Sequence, residues 1–321
     1  MTVSGTLLGS DSVEETQAFN EELTRLLAAA PPLESVPPAV TRELRRKGEG
    51  FLPAPVYSPR ASWLEIPSRA GGLRLRVVPP QGEATGAFLH VHGGGWVLGS
   101  ADEQDPLLEA VADATGLCAV SVEYRLAPEH PYPAGHDDCE DAALWLIERG
   151  AAELGVPATF AIGGESAGAN LSVTTLLRLR DRHGITGAFA AANLVYGAFD
   201  LSGTPSRLLW GDRLLVLSDP IMNWFTECLV GVVDDRSRRD PDLSPLYADL
   251  RDMPPALFTV GTADALLDDS LFMAARWEAA DNRAELRVYE DACHAFTAFP
   301  IAVAQEANEA QRAFLRAAVS S

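Results

Sequence analysis

The chain reads as an α/β protein: a mostly parallel, eight-stranded sheet with helices on both faces and a helical cap above it. Two observations predict this. From residue 62 onward, short apolar runs rich in β-branched and aromatic residues alternate with amphipathic helical stretches, the pattern of strands joined by helical crossovers. Two segments stand outside that alternation: residues 1–50, which carry helical periodicity only, and residues 198–248, too long and mixed for a simple connection. With 321 residues, 47% of them hydrophobic and 22% charged, the chain can bury a large core.

Residues 10–30 predict a helix, capped by Ser10 or Asp11, with Glu14 and Glu15 in its first turn and Phe19, Leu23, Leu26 and Leu27 at helical spacing. Pro31-Pro32 stops it, and a second, basic amphipathic helix runs from about Pro38 to Lys47. No strand pattern appears before residue 62. Ser62 to Ile66 and Leu73 to Val78, separated by Gly71-Gly72, predict an antiparallel pair at a sheet edge. Ala87 to Val91 and Leu117 to Glu123 are the next strands, with a helix over Asp105 to Thr115 between them. A helix from about Asp137 to Leu154 leads to a buried strand, Phe160 to Gly163, and another helix starts near Ala167. Ala190 to Tyr196, Ala256 to Val260 and Leu286 to Tyr289 complete the strands, with helices over Leu271 to Ala280 and Ala302 to Val319. Residues 198–248, with Trp210, Met222, Trp224 and Phe225, are read as an inserted helical piece that packs with residues 1–50 as a lid. The core is then 51–197 and 249–321.

A net charge of −20 argues against nucleic acid or anionic membrane surfaces as partners. Cys118, Cys139, Cys228 and Cys293 are scattered, with no C-x-x-C pair, so neither zinc nor a disulfide framework is suggested. The N-terminus has no basic region followed by an apolar one, and no run approaches 18 apolar residues. A soluble cytoplasmic protein without a metal is the expectation.

Gly164-Glu165-Ser166-Ala167-Gly168 fits G-x-S-x-G between a strand and a helix. There the serine sits at the apex of a strained turn, and the glycines avoid collision with neighbouring backbone. A free hydroxyl is a weak nucleophile and needs a base held by a third group. Of six histidines, only His294 follows the last strand. Asp264 lies just past a strand's carboxyl end, where sites in parallel sheets form; Asp268 and Asp269 compete with it, one of them as a cap of the following helix. The chain order Ser…Asp…His is the one this architecture uses. His92-Gly93-Gly94-Gly95-Trp96, directly after the third strand, offers backbone N–H groups bare of side-chain cover. Gly94 and Gly95 with Ala167 are the candidate oxyanion donors, with Gly93 as a substitute and His92 pinning the loop.

These motifs, together with Tyr124-Arg125-Leu126-Ala127-Pro128-Glu129-His130-Pro131-Tyr132-Pro133-Ala134, resemble the hormone-sensitive-lipase-like (bacterial family IV) esterases of the α/β-hydrolase fold, over roughly residues 60–320. The resemblance implies hydrolysis of small-molecule carboxylic esters with small acyl groups, no cofactor, a cap of N-terminal helices plus an insertion, and either a monomer or a homo-oligomer. Trp96, Trp210, Trp224 and Phe296 are candidate walls for the acyl or alcohol pocket, an ordinary core or surface role being the alternative. Two positions depart from the family: Ala295 where glycine is frequent after the histidine, and Ala265 where many members have proline. The same machinery would serve an amidase or deacetylase. A non-catalytic receptor, as the plant gibberellin receptor is on this fold, is disfavoured by the presence of His294.

Overall fold

The computed structural model describes residues 2–5, 10–50, 52 and 54–319. The eight expected strands are all present as β2 (Ser62–Ser68), β3 (Gly71–Val78), β4 (Gly86–Val91), β5 (Leu117–Val122), β6 (Phe160–Glu165), β7 (Phe189–Val195), β8 (Ala256–Ala263) and β9 (Ala284–Cys293). A ninth, β1 (Thr2–Gly5), joins them at one edge, parallel to β9. No strand was expected before residue 62, and the reason is length: four residues put only two side chains on each face, too few to show a period.

The strand order is β1-β9-β8-β7-β6-β4-β5-β3-β2. β2–β3 and β3–β5 are antiparallel and every other pairing is parallel. Helices α1 (Ser10–Ala29) and α2 (Pro38–Arg46) precede the sheet, and the side chains expected to cap α1, Ser10 and Asp11, lie outside the described residues. The rest are α3 (Asp105–Thr115), α4 (Ala134–Trp145), α5 (Ala151–Leu154), α6 (Ala167–His183), α7 (Pro205–Trp210), α8 (Asp219–Val230), α9 (Asp235–Arg238), α10 (Leu267–Ala279) and α11 (Ala302–Val319). The helix expected from Asp137 starts earlier, directly after Pro133, where the missing N–H of proline costs nothing, and a π-helical turn at Leu146–Gly150 joins α4 to α5.

Alternation along β4 sorts the two faces. Phe88 packs with Val111 of α3 and Leu315 of α11, whereas Ala87, Leu89 and Val91 point into the larger cluster shared with α4 and α6. Being covered on both sides, the central strands are apolar throughout rather than alternating. Among the described residues, no helix is long and apolar enough to cross a membrane.

Residues 198–248 leave the sheet after β7 and return before β8. Their start is tied to α10, since Asp269 accepts from the Phe199 and Asp200 N–H groups at 2.7 and 2.9 Å. Their end is tied to α6 and α4: the buried Arg178 donates to Asp242 at 2.7 Å and to Asp137 at 2.9 Å.

Candidate active site

β6 delivers Ser166 through a turn that ordinary backbone avoids. Ser166 has φ +55° and ψ −116°, and α6 begins at the next residue. Such conformations cost on the order of 1–3 kcal/mol and persist only where the surroundings enforce them. Here the Ser166 N–H donates to the Val195 carbonyl at 2.9 Å, and its own carbonyl accepts from Ala169 at 3.1 Å. A Cβ at either Gly164 or Gly168 would overlap the Val91 carbonyl of β4, so no other residue lets helix and strand approach so closely.

β9 delivers the histidine. It runs past the expected end at Tyr289 to Cys293, because Glu290 and Asp291 look like loop in sequence but belong to a bulged continuation of the strand. Asp291 takes φ +53°, and its N–H donates to Thr262 Oγ1 at 2.8 Å. From α1, Asn20 donates to the Asp291 carbonyl and Gln17 to its carboxylate, both at 2.7 Å. His294 then lies 3.0 Å from Ser166 Oγ through Nε2 and 2.9 Å from Asp264 Oδ2 through Nδ1. Asp264, at the end of β8, is 1% exposed, and its Oδ1 accepts from the Leu266 N–H at 2.8 Å. The competing carboxylates face elsewhere. Asp268 accepts from Ser206 N–H at 2.8 Å, and Asp269 holds Phe199, Asp200 and Thr204. Burial pushes the Asp269 carboxyl up to about 7, with its donors opposing.

Two groups that pack against this chain stay protonated. Burial raises the Cys293 thiol beside His294 to about 12, so it is no thiolate. Burial also holds the Tyr196 phenol well above its usual value; its ring lies 4.8 Å from the His294 ring and its hydroxyl 2.6 Å from Thr297 Oγ1. Beneath the elbow, buried His90 bridges Ser121 at 2.8 Å and Glu165 at 3.0 Å.

The glycine loop abuts the serine. A Cβ on Gly93 would sit 2.8 Å from the Glu165 carbonyl and 3.6 Å from Ser166 Cβ. Gly94, Gly95 and Trp96 all have positive φ, +118°, +61° and +62°. The turn is closed by Val97 and Leu98 N–H groups donating to the Gly94 carbonyl at 3.1 and 2.8 Å. Among the described residues, the N–H groups of Gly94, Gly95 and Ala167 have no protein acceptor. Burial lowers the His92 pKa to about 3, so the ring is neutral; its Nδ1–H donates to the Gly93 carbonyl at 2.8 Å, and it stacks on Tyr124 at 4.2 Å.

The four aromatic candidates divide. Phe296 is fully buried against Tyr196 and Tyr289, in the packing behind His294, which fits the core role weighed beside that of a pocket wall. Trp96 is also buried, its carbonyl accepting from Ala127. Half-buried Trp210 spends its indole N–H on the Arg213 and Leu217 carbonyls, inside the insertion. Trp224 lies 5.0 Å from Phe225. The residue that sequence reasoning did not single out as a site residue is Phe225 itself. Its ring covers Gly95 so closely that a Cβ there would overlap it. Nothing local in the sequence marks it, because α8 and the loop meet only in three dimensions.

A family model described as α/β hydrolase fold matches residues 88–298, the stretch that carries this constellation. The chain belongs to that family. Its hormone-sensitive-lipase-like resemblance holds among the relatives of this α/β hydrolase. It is 35% identical over 252 residues to the carboxylic ester hydrolase LipN of Mycobacterium tuberculosis, covering 76% of this chain and 66% of that protein. It is 28% identical over 236 residues to an acetyl esterase of Salmonella paratyphi B, covering 72% and 71%. The hyperthermophilic esterase of Pyrobaculum calidifontis superposes with a TM-score of 0.85 at 30% identity, over the whole of both chains.

Proposed function

We propose that this α/β hydrolase is a serine carboxylesterase acting on short-acyl esters, with Ser166 as nucleophile, His294 as general base and acid, and Asp264 as the group that orients the imidazole. The observation that carries the reading is the unbroken hydrogen-bond chain from Asp264 through His294 to Ser166, ending beside a loop of uncommitted N–H groups. The ester carbonyl oxygen turns toward Gly94, Gly95 and Ala167, with Gly93 as a substitute donor. Ser166 Oγ bonds to the carbonyl carbon as its proton passes to His294 Nε2, and the oxyanion forms against the loop and the positive end of α6. His294 returns the proton to the leaving alcohol, and water activated by the same ring releases the acid from the acyl-enzyme.

Phe225 over Gly95, with Trp224 beside it, supports a short acyl group, as do relatives named acetyl esterase. On this reading α1, α2 and residues 198–248 form a cap over the core, whereas β1, from the stretch expected to be wholly cap, belongs to the core sheet. Four unpaired cysteines favour a reducing compartment, the cytoplasm. The test is release of a chromogenic alcohol from esters of graded acyl length. Wild type should prefer the shortest acyl groups and Ser166→Ala should fall to background; equal rates for the two proteins would end the proposal.

A further inference from the structure

The strained loop that presents the donors is held from four directions, and three of the holders belong to the sheet and its connections. His92 Nδ1–H donates to the Gly93 carbonyl at 2.8 Å, Tyr124 Oη–H to the His92 carbonyl at 3.0 Å, and the Ala127 N–H to the Trp96 carbonyl at 2.9 Å. The fourth comes from α2. Arg42, its side chain 14% exposed, donates Nε–H to the Val97 carbonyl at 2.7 Å. One Nη2 hydrogen goes to the Ala127 carbonyl at 2.8 Å, and the fork closes on Glu129 with both contacts at 2.9 Å. A single planar guanidinium therefore fixes the residue that ends the glycine turn and the residue that pins Trp96, in one rigid geometry that an ammonium cannot copy.

We propose that Arg42 is a positioning residue for the oxyanion hole. Through it, α2 sets the direction of the Gly94 and Gly95 N–H groups rather than only covering the site. Two of the three residues at positive φ in this turn are glycines, which have no steric preference of their own for it, so the turn depends on outside bonds to stay aimed. Val97 and Leu98 N–H groups close the turn on Gly94 from within. Arg42 grips Val97 from without. Its release should let the donors drift while leaving the chain Asp264–His294–Ser166 intact. The proposal rests on the ester-hydrolase reading above.

The test uses the full chain with p-nitrophenyl acetate and a trifluoromethyl ketone, whose carbonyl adds Ser166 Oγ to give a bound oxyanion. Arg42→Ala should lower kcat by ~10- to 100-fold with KM changed less than about 3-fold, because a small misdirection of donors weakens the transition state more than the substrate complex. The ketone should loosen by a similar factor. Arg42→Lys, which keeps the charge but only one donor nitrogen in place of three, should recover part of the loss and also reports if the alanine variant does not fold. Arg46→Ala, an exposed neighbour on α2 paired with Glu43, is the control and should match wild type. Folded Arg42→Ala and Arg42→Lys with wild-type kcat, or with a rise in KM alone, would overturn the proposal. A wild type that turns over no ester and is not labelled by a fluorophosphonate would overturn the function itself, a result distinct from an active wild type with indifferent variants.

Discussion

Replacing Asp264 with asparagine tests the site more sharply than removing the serine, because it keeps the nucleophile and the base and shifts only which nitrogen of His294 carries the proton. In the wild type, Asp264 Oδ2 accepts from His294 Nδ1–H at 2.9 Å and Oδ1 accepts from the Leu266 N–H at 2.8 Å. An asparagine keeps the shape, but the Leu266 N–H requires an acceptor at the Oδ1 position in a site that is 1% exposed. A buried donor left without a partner costs about 1–3 kcal/mol, so the amide oxygen stays on Leu266 and the NH2 group faces His294. Nδ1 must then accept, which moves the ring proton to Nε2. Nε2 can donate to Ser166 Oγ but can no longer take its proton. By analogy with the loss measured for this substitution in a serine protease triad, kcat should fall by ~10⁴-fold, about 5 kcal/mol of barrier, with the melting temperature little changed. Asp264→Ala should lose no more than Asp264→Asn, since it imposes no tautomer. Steady-state hydrolysis of a chromogenic acetate ester, with a thermal melt as the folding check, reads both. An asparagine variant that keeps more than about a tenth of wild-type kcat would refute the assignment of Asp264.

Three further outcomes follow from the geometry. In Gly94→Ala, at φ +118°, the new Cβ would overlap the Leu98 carbonyl; the loop must shift, and kcat should fall ~100-fold or more with KM much less affected, as kinetic separation of the two constants would reveal. Phe225→Ala should destabilise the fold by about 3 kcal/mol in chemical denaturation and move the acyl-length optimum upward; an unchanged optimum would remove Phe225 from the pocket. Burial lowers the pKa of His136 from 6.5 to about 3, so the folded state holds its neutral form; the stability it contributes is full above pH 6.5 and is lost as pH falls toward 3. Thermal melts of His136→Phe should therefore depend less steeply on pH below 6 than those of wild type.

Much of the molecule could be read from its residues because the signals are local. The central strands of the expected sheet announce themselves as apolar runs, since a strand covered on both faces has no polar side to interrupt it. The elbow is legible for a related reason. Its two glycines stand where a side chain would overlap the Val91 carbonyl, and with the strand before them they mark the turn within a few residues. Ser166 and His294 could be nominated from their places after β6 and β9. Four residues of β1, by contrast, carry no period, and Glu290 and Asp291 disguise the end of β9 because a bulge breaks the alternation that would have marked it.

What the amino-acid order determined alone was therefore backbone: the class of the fold, the elbow, the glycine loop and the order in which candidate groups follow their strands. Which of Asp264, Asp268 and Asp269 meets His294 was decided by tertiary structure, as was the turning of Phe296 into the core, the seating of Phe225 on Gly95 and the reach of Arg42 to Val97. Local patterns constrain φ, ψ and burial over a few residues. Contacts between side chains far apart in the chain depend on sheet register and helix packing, and those are settled only when the whole core closes.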